Sequence, residues 1–258
     1  MTLYIFLQGG LGNQLFQYAA GLVLQQTRDV RLIKALPAHS GRDYRATLYH
    51  RLGSVDSVDL RVPLLQFDSF IPWKPDDYLQ YDTVILQGYF QYLGAIQGVL
   101  PRLREDMSHL LWINREMMRA KYGITDSSSV GFLHVRRGDY LTAPPNLHWI
   151  MDIPYYLNAL TKFTKKMRWI VLSDDVAWCR AQELFTEFAG IEIADESDEL
   201  DGLALMSLCH GGAIIGNSTY SWWGAMLGAE PAGAPVVYPS KWFSYETPEL
   251  FPSRWIRL

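Results

Sequence analysis

Two rhythms of apolar residues alternate along this chain. Short runs of about five apolar positions, too brief for a helix, are separated by longer stretches whose apolar residues recur at three- and four-residue spacing. In the second half the short runs are GFLHV (131–135), WIVLS (169–173), AIIGN (213–217) and PVVYP (235–239). Helical patterning fills the intervals at about 154–166, 176–189, 199–210 and 219–228. The first half opens with a strand at 3–7, a glycine loop at 8–14 and a helix at 15–26, followed by strands at 30–33 and 83–88. Residues 34–82 follow neither rhythm and are rich in Pro, Asp and Arg; 99–122 reads as one helix and 124–129 as a linker. Strands spaced by helices of this length form parallel βαβ units. The expectation is an α/β protein of two parallel-sheet halves, 1–125 and 126–258.

In open parallel sheets, ligands bind beyond the carboxyl ends of the strands. Polar residues of the second half collect at that edge. They are His134 with Arg136 and Arg137, Ser173 with Asp174 and Asp175, Asn217 with Ser218 and Thr219, and Ser240 with Lys241. Four strand ends carrying polar groups at one edge define a site.

Composition narrows the ligand. Net charge is −4 over 258 residues, so a broad electrostatic footprint for nucleic acid is absent and anion recognition must be local. The 9 Trp, 15 Tyr and 11 Phe exceed what a core ordinarily needs, and rings suit the apolar faces of sugars. Cys179 and Cys209 show no metal spacing, which fits a reducing compartment. No run approaches a membrane span, and MTLYIFLQGG reads as a first strand rather than a leader, so a cytoplasmic location is expected.

The segment HVRRGDY (134–140) ends an apolar strand in two adjacent arginines. Arginine is rarely buried without a partner, and its planar fork suits a pyrophosphate. A structural pair satisfied by nearby carboxylates is the competing reading. Asp139 is either a base or a group that orients an arginine. The SDD at 173–175 fits helix capping with nucleotide contact better than metal binding, because no other carboxylate cluster completes a ligand set. QGGLGNQ lacks both the dinucleotide fingerprint and the P-loop lysine. Its Gly10, Gly12, Asn13 and Gln14 nevertheless suit a loop that faces a ligand. Asn217, Ser218 and Thr219 stand at a helix start, where backbone N–H groups bind anions or are simply capped.

Together, GGLGNQLFQYAAG, HVRRGDY, SDDVAWC, LALMSLCHGGAIIGNSTYSWWGAML and PSKWF, in this order from residue 9 to residue 243, resemble the α-1,2-fucosyltransferase family. The resemblance implies a GT-B-like fold with two Rossmann-type halves facing a cleft, an N-terminal half (1–125) on the acceptor side and a C-terminal half (126–258) that binds GDP-L-fucose. It further implies inverting transfer to the 2-hydroxyl of a β-galactoside, with no metal and no other cofactor. Arg136 then occupies the position that binds the diphosphate and stabilises departing GDP. His134 and one of Asp174 or Asp175 hold the guanosine, while Asn217, Ser218 and the glycine loop line the phosphate and sugar region. Asp139 is assigned as catalytic base from its position alone. The implied partners are a nucleotide-sugar donor and a galactose-containing glycan. The alternatives are a transferase with another GDP-sugar or linkage, and a non-catalytic glycan-binding module.

Overall fold

The computed structural model describes residues 1–33, 43–59, 61–66, 72–143, 148–243 and 249–258. The chain divides into two compact units. Unit one comprises Met1–Leu110 and Pro248–Phe251, and unit two comprises Leu111–Thr247 and Pro252–Leu258.

The first unit is built on β1 (Thr2–Phe6), β2 (Asp29–Ile33), β3 (Gly53–Val55), β4 (Leu64–Gln66) and β5 (Thr83–Gln87). Their order is β3-β2-β1-β5-β4, with every neighbour parallel. Helix Leu11–Leu24 follows β1 and buries every residue except Asn13. A helix enclosed on all sides has no face for a charge, and residues 2–27 contain none. β3 and β4 fall inside the stretch that lacks periodicity. At three residues each they are too short to show one. Residues 34–42, 60 and 67–71 of that stretch lie outside the described residues.

The second unit contains β6 (Val130–Val135), β7 (Arg168–Ser173), β8 (Ile191–Ile193), β9 (Gly212–Ile214), β10 (Val236–Tyr238) and β11 (Ile256–Arg257). All are parallel in the order β11-β10-β9-β6-β7-β8. All six residues of β6 are buried, as a central strand covered on both faces requires. The chain first adds strands to one side of β6, then returns to the other side with β9. The switch point, where ligands bind in such sheets, therefore lies between β6 and β9.

The stretch expected as one helix over 99–122 is broken at Leu111 into helices Leu100–Leu110 and Trp112–Lys121. The first buries Leu103, Asp106 and Met107 within the first unit. The second packs on helix Glu199–Leu208, where Asn114 donates to Asp201 at 2.7 Å; just beyond it, Tyr122 donates to Glu196 at 2.6 Å. The division therefore falls between residues 110 and 111 rather than near 125, because each half of the stretch serves its own unit. Likewise 176–189 forms two short helices, Val176–Arg180 and Glu183–Thr186.

Helix Thr219–Leu227 carries Trp222 and Trp223, both fully buried and edge-on at 4.9 Å. Its Gly224 and the following Gly228 meet helix Glu199–Leu208. A Cβ on Gly224 would sit 2.6 Å from Met206 Sδ, and one on Gly228 would sit 2.6 Å from the Met206 carbonyl oxygen. The sulfur can move; the carbonyl is fixed by its helix. Gly228→Ala is therefore expected to cost about 1–3 kcal/mol, read as a lower thermal midpoint by circular dichroism. Gly98→Ala, whose Cβ would meet nothing within 4 Å, is expected to leave it unchanged.

Candidate functional site

The carboxyl end of β6 delivers Arg136 and Arg137, and the carboxyl end of β7 delivers Asp174 and Asp175. Asp174 engages both arginines. Its Oδ1 accepts from the Arg137 backbone N–H at 2.9 Å and its Oδ2 pairs with Arg136 Nη1 at 2.8 Å. Arg136 Nη2 donates to Asp139 Oδ1 at 2.6 Å, and its guanidinium lies over the Tyr140 ring at 5.2 Å. Gly138 makes room for this arrangement: a Cβ there would fall 2.5 Å from Asp174 Oδ2.

Arg137 is held differently. Its Nε pairs with Asp175 at 3.2 Å and its guanidinium stacks on Trp178 at 4.1 Å. Asp175 also caps helix Val176–Arg180 by accepting from Trp178 N–H at 3.0 Å, and Ser173 Oγ accepts from Asp175 N–H at 2.9 Å. Ser173, Asp175, Arg137 and Trp178 thus form a scaffold, whereas Arg136 rests on Tyr140 and pairs with two carboxylates that are themselves partly or largely exposed. Among the described residues no group of three His, Cys, Asp or Glu is placed to hold a metal ion.

On the other side of the switch point, Gly216 lies close against β6, where a Cβ would be 3.3 Å from the His134 carbonyl oxygen. Asn217 is buried. Its side-chain amide donates to the Trp149 and Trp242 carbonyls at 2.7 and 2.9 Å, and its backbone carbonyl accepts from Tyr140 Oη at 2.9 Å. It therefore pins two loops to the strand end. Ser218 begins helix Thr219–Leu227 without a side-chain cap bond. His134 is 3% exposed, and burial, then Arg136, pushes its pKa down to about 3, so the ring is neutral. Among the described residues, His134 Nδ1 and Asn217 Oδ1 are buried with no hydrogen-bond partner. Two such atoms at one switch point call for an explanation, and a ligand group is one.

The structure thus gathers His134, Arg136, Arg137, Asp139, Ser173, Asp174, Asp175, Asn217, Ser218 and Thr219 on one unit. Gly10, Gly12, Asn13 and Gln14 belong to the other. There Gln14 is buried and its amide donates to the Gly9 carbonyl at 3.0 Å. Sequence reasoning missed Tyr140, His148, Trp149 and Trp178 as site groups. His148 stacks on Tyr140 at 3.9 Å, and Lys241 lies over Trp149 at 3.8 Å. Trp178 had a signal, its position three residues after a capping Asp. His148 and Trp149 lie in an aperiodic stretch that offers none.

The two Rossmann-type units give a fold of the GT-B-like class. The glycosyl transferase family 11 profile matches residues 70–242, and the chain belongs to that family. It is 29% identical to the Escherichia coli O-antigen biosynthesis glycosyltransferase WbnK, over 99% of this chain and 100% of the relative. It is 26% identical to an Escherichia coli α-1,2-colitosyltransferase, over 98% and 97%. Human galactoside α-(1,2)-fucosyltransferase 1 is 24% identical over 92% of this chain and 67% of its own length. Among solved structures, NodZ α-1,6-fucosyltransferase soaked with GDP-fucose superimposes with a TM-score of 0.51 at 12% identity, covering 88% of this chain and 92% of NodZ. A glycosyl transferase of family 9 from Veillonella parvula gives 0.53 at 10% identity, covering 100% and 86%. These two likenesses concern the fold alone.

The burial of neutral His134 has a consequence for stability. Unfolded, its imidazole takes a proton near pH 6.5; folded, only near pH 3. Between these values the unfolded chain binds the extra proton, so stability falls as pH falls, by at most about 1.4 kcal/mol per pH unit for this group. His148 and His210, also lowered by burial, add with the same sign. The denaturation midpoint is expected to drop between pH 6.5 and 5, and to drop less steeply in His134→Asn.

Proposed function

We propose that this glycosyltransferase moves L-fucose from GDP-L-fucose to the 2-hydroxyl of a β-galactoside, with inversion and without a metal. The observation that carries the reading is Arg136, a guanidinium at the switch point of the second sheet, held by two carboxylates rather than locked into the scaffold. In this reaction the bond from the sugar C1 to the β-phosphate oxygen breaks, and its electron pair remains on GDP. The acceptor oxygen bonds to C1 from the opposite face and loses its proton to a base. Arg136 stabilises the charge that grows on the diphosphate. Such a preorganised donor contributes about 2.7–4 kcal/mol, or roughly 100- to 1,000-fold in rate.

In the same reading, His134 with Asp174 or Asp175 meets the guanosine. The N-termini at Ser218–Thr219 and the loop of Gly10, Gly12, Asn13 and Gln14 line the phosphate and sugar. Asp139, largely exposed beside Arg136, accepts the acceptor proton. Metal independence is supported by the pairing of Asp139, Asp174 and Asp175 with arginine. Two buried free thiols accord with a reducing, cytoplasmic setting. A related GDP-sugar such as a colitosyl donor is the second reading, favoured by the colitosyltransferase among the relatives.

Incubation with labelled GDP-fucose and lactose in EDTA is expected to yield fucosylated product. Arg136→Ala is expected to lower kcat by about 100-fold or more with an unchanged circular dichroism spectrum; near-normal turnover would overturn its role. Asp139→Asn is expected to lower kcat by about 100- to 10,000-fold if that carboxylate is the base.

A further inference from the structure

Among the described residues, the carboxyl ends of β1, β4 and β5 carry carboxamides where those of β6 and β7 carry charges. At the switch point of the first sheet, between β1 and β5, the chain is uncharged from Thr2 to Thr27 and again from Thr83 to Pro101. In place of charges stands a row of carboxamides. Gln66 ends β4 and lies in register with Gln87, which ends β5; its amide donates to Gln87 Oε1 at 2.7 Å. Gln87 in turn donates to Gln8 Oε1, just beyond β1, at 3.2 Å. The three amides run head to tail across the strand ends, so each polarises the next.

A second observation lies three residues beyond the end of β5. Phe90 is fully buried and has φ +55°, a left-handed conformation that is unfavourable for a side chain of this kind. Such strain persists where the surrounding structure enforces it and gathers at ligand sites. It delivers Gln91, whose amide donates to Asn13 at 3.0 Å while its Oε1 is buried without a partner. A buried carbonyl oxygen with no partner among the described residues, four positions along the chain from Gln87, calls for a donor, and a ligand hydroxyl is one.

We infer that Gln66, Gln87, Gln8 and Gln91 form the subsite that reads the acceptor, a neutral polyhydroxylated sugar. A carboxamide offers both a donor and an acceptor, and each sugar hydroxyl needs both. An anion would meet no cation among these groups, and a purely apolar ligand would leave the amides unsatisfied. The inference rests on the transferase reading above and assigns its acceptor recognition to named residues.

The test compares wild type with Gln87→Leu, and with Gln66→Leu should the first fail to fold. Three quantities are measured: the KM for lactose, the Kd for GDP by calorimetry, and the thermal midpoint. Loss of one neutral hydrogen bond predicts a lactose KM raised about 3- to 10-fold, with GDP affinity unchanged. An unchanged lactose KM, or GDP affinity falling in parallel, overturns the inference. If wild type transfers nothing, the transferase reading fails on its own account. The subsite is then read by saturation-transfer NMR of methyl β-galactoside. Signal in wild type that is lost in the variant supports it; equal signal, or none in wild type, overturns it.

Discussion

One carboxylate, Asp174, holds the second unit's strand ends in working order. It reaches from the end of β7 to the end of β6, where one oxygen fixes the backbone after Arg136 and the other orients the Arg136 side chain. Remove that bridge, and two adjacent arginines would repel each other beside a buried strand. The bridge in turn depends on Gly138, because any larger residue would occupy the space the carboxylate needs. The spacing in RRGD is therefore a packing statement as much as a chemical one.

Adjacent arginines of one sequence motif have separated into two tasks. Arg137 is sandwiched between Asp175 and Trp178, and Asp175 is also committed to a helix cap. That ring of contacts sets the height and direction of the loop. Arg136 rests on Tyr140, which is itself anchored to the Asn217 carbonyl across the switch point. Asn217 links the loops at Trp149 and Trp242 to the same spot. A buried amide with two donors and two backbone partners is a rigid joint between these loops and the strand end.

Much of this was legible in the sequence. The runs at 131–135 and 169–173 are central strands buried on both faces, and such strands advertise themselves by unbroken apolar character. The polar residues that follow them could be assigned to one edge without coordinates. Short edge strands such as Gly53–Val55 and Leu64–Gln66 were not legible, because three residues cannot establish a period. The break at Leu111 was hidden for a different reason: both helices it separates keep good helical patterning, and only their packing in different units distinguishes them. The pairing of Asp174 with Arg136 spans 38 residues in sequence, and nothing local records it. The glutamine row was equally silent, since each member reads alone as an ordinary polar residue at a strand end.

The charge count around Arg136 carries one more consequence. Among the described residues, two guanidiniums face three carboxylates, one more negative group than positive. An anion approaching Arg136 meets a resident competitor, Asp139, tethered three residues away and already in contact. Tethering gives that competitor a high effective concentration at every moment. Asp139 is thus a built-in counter-ion, and any anion drawn to Arg136 has to displace it.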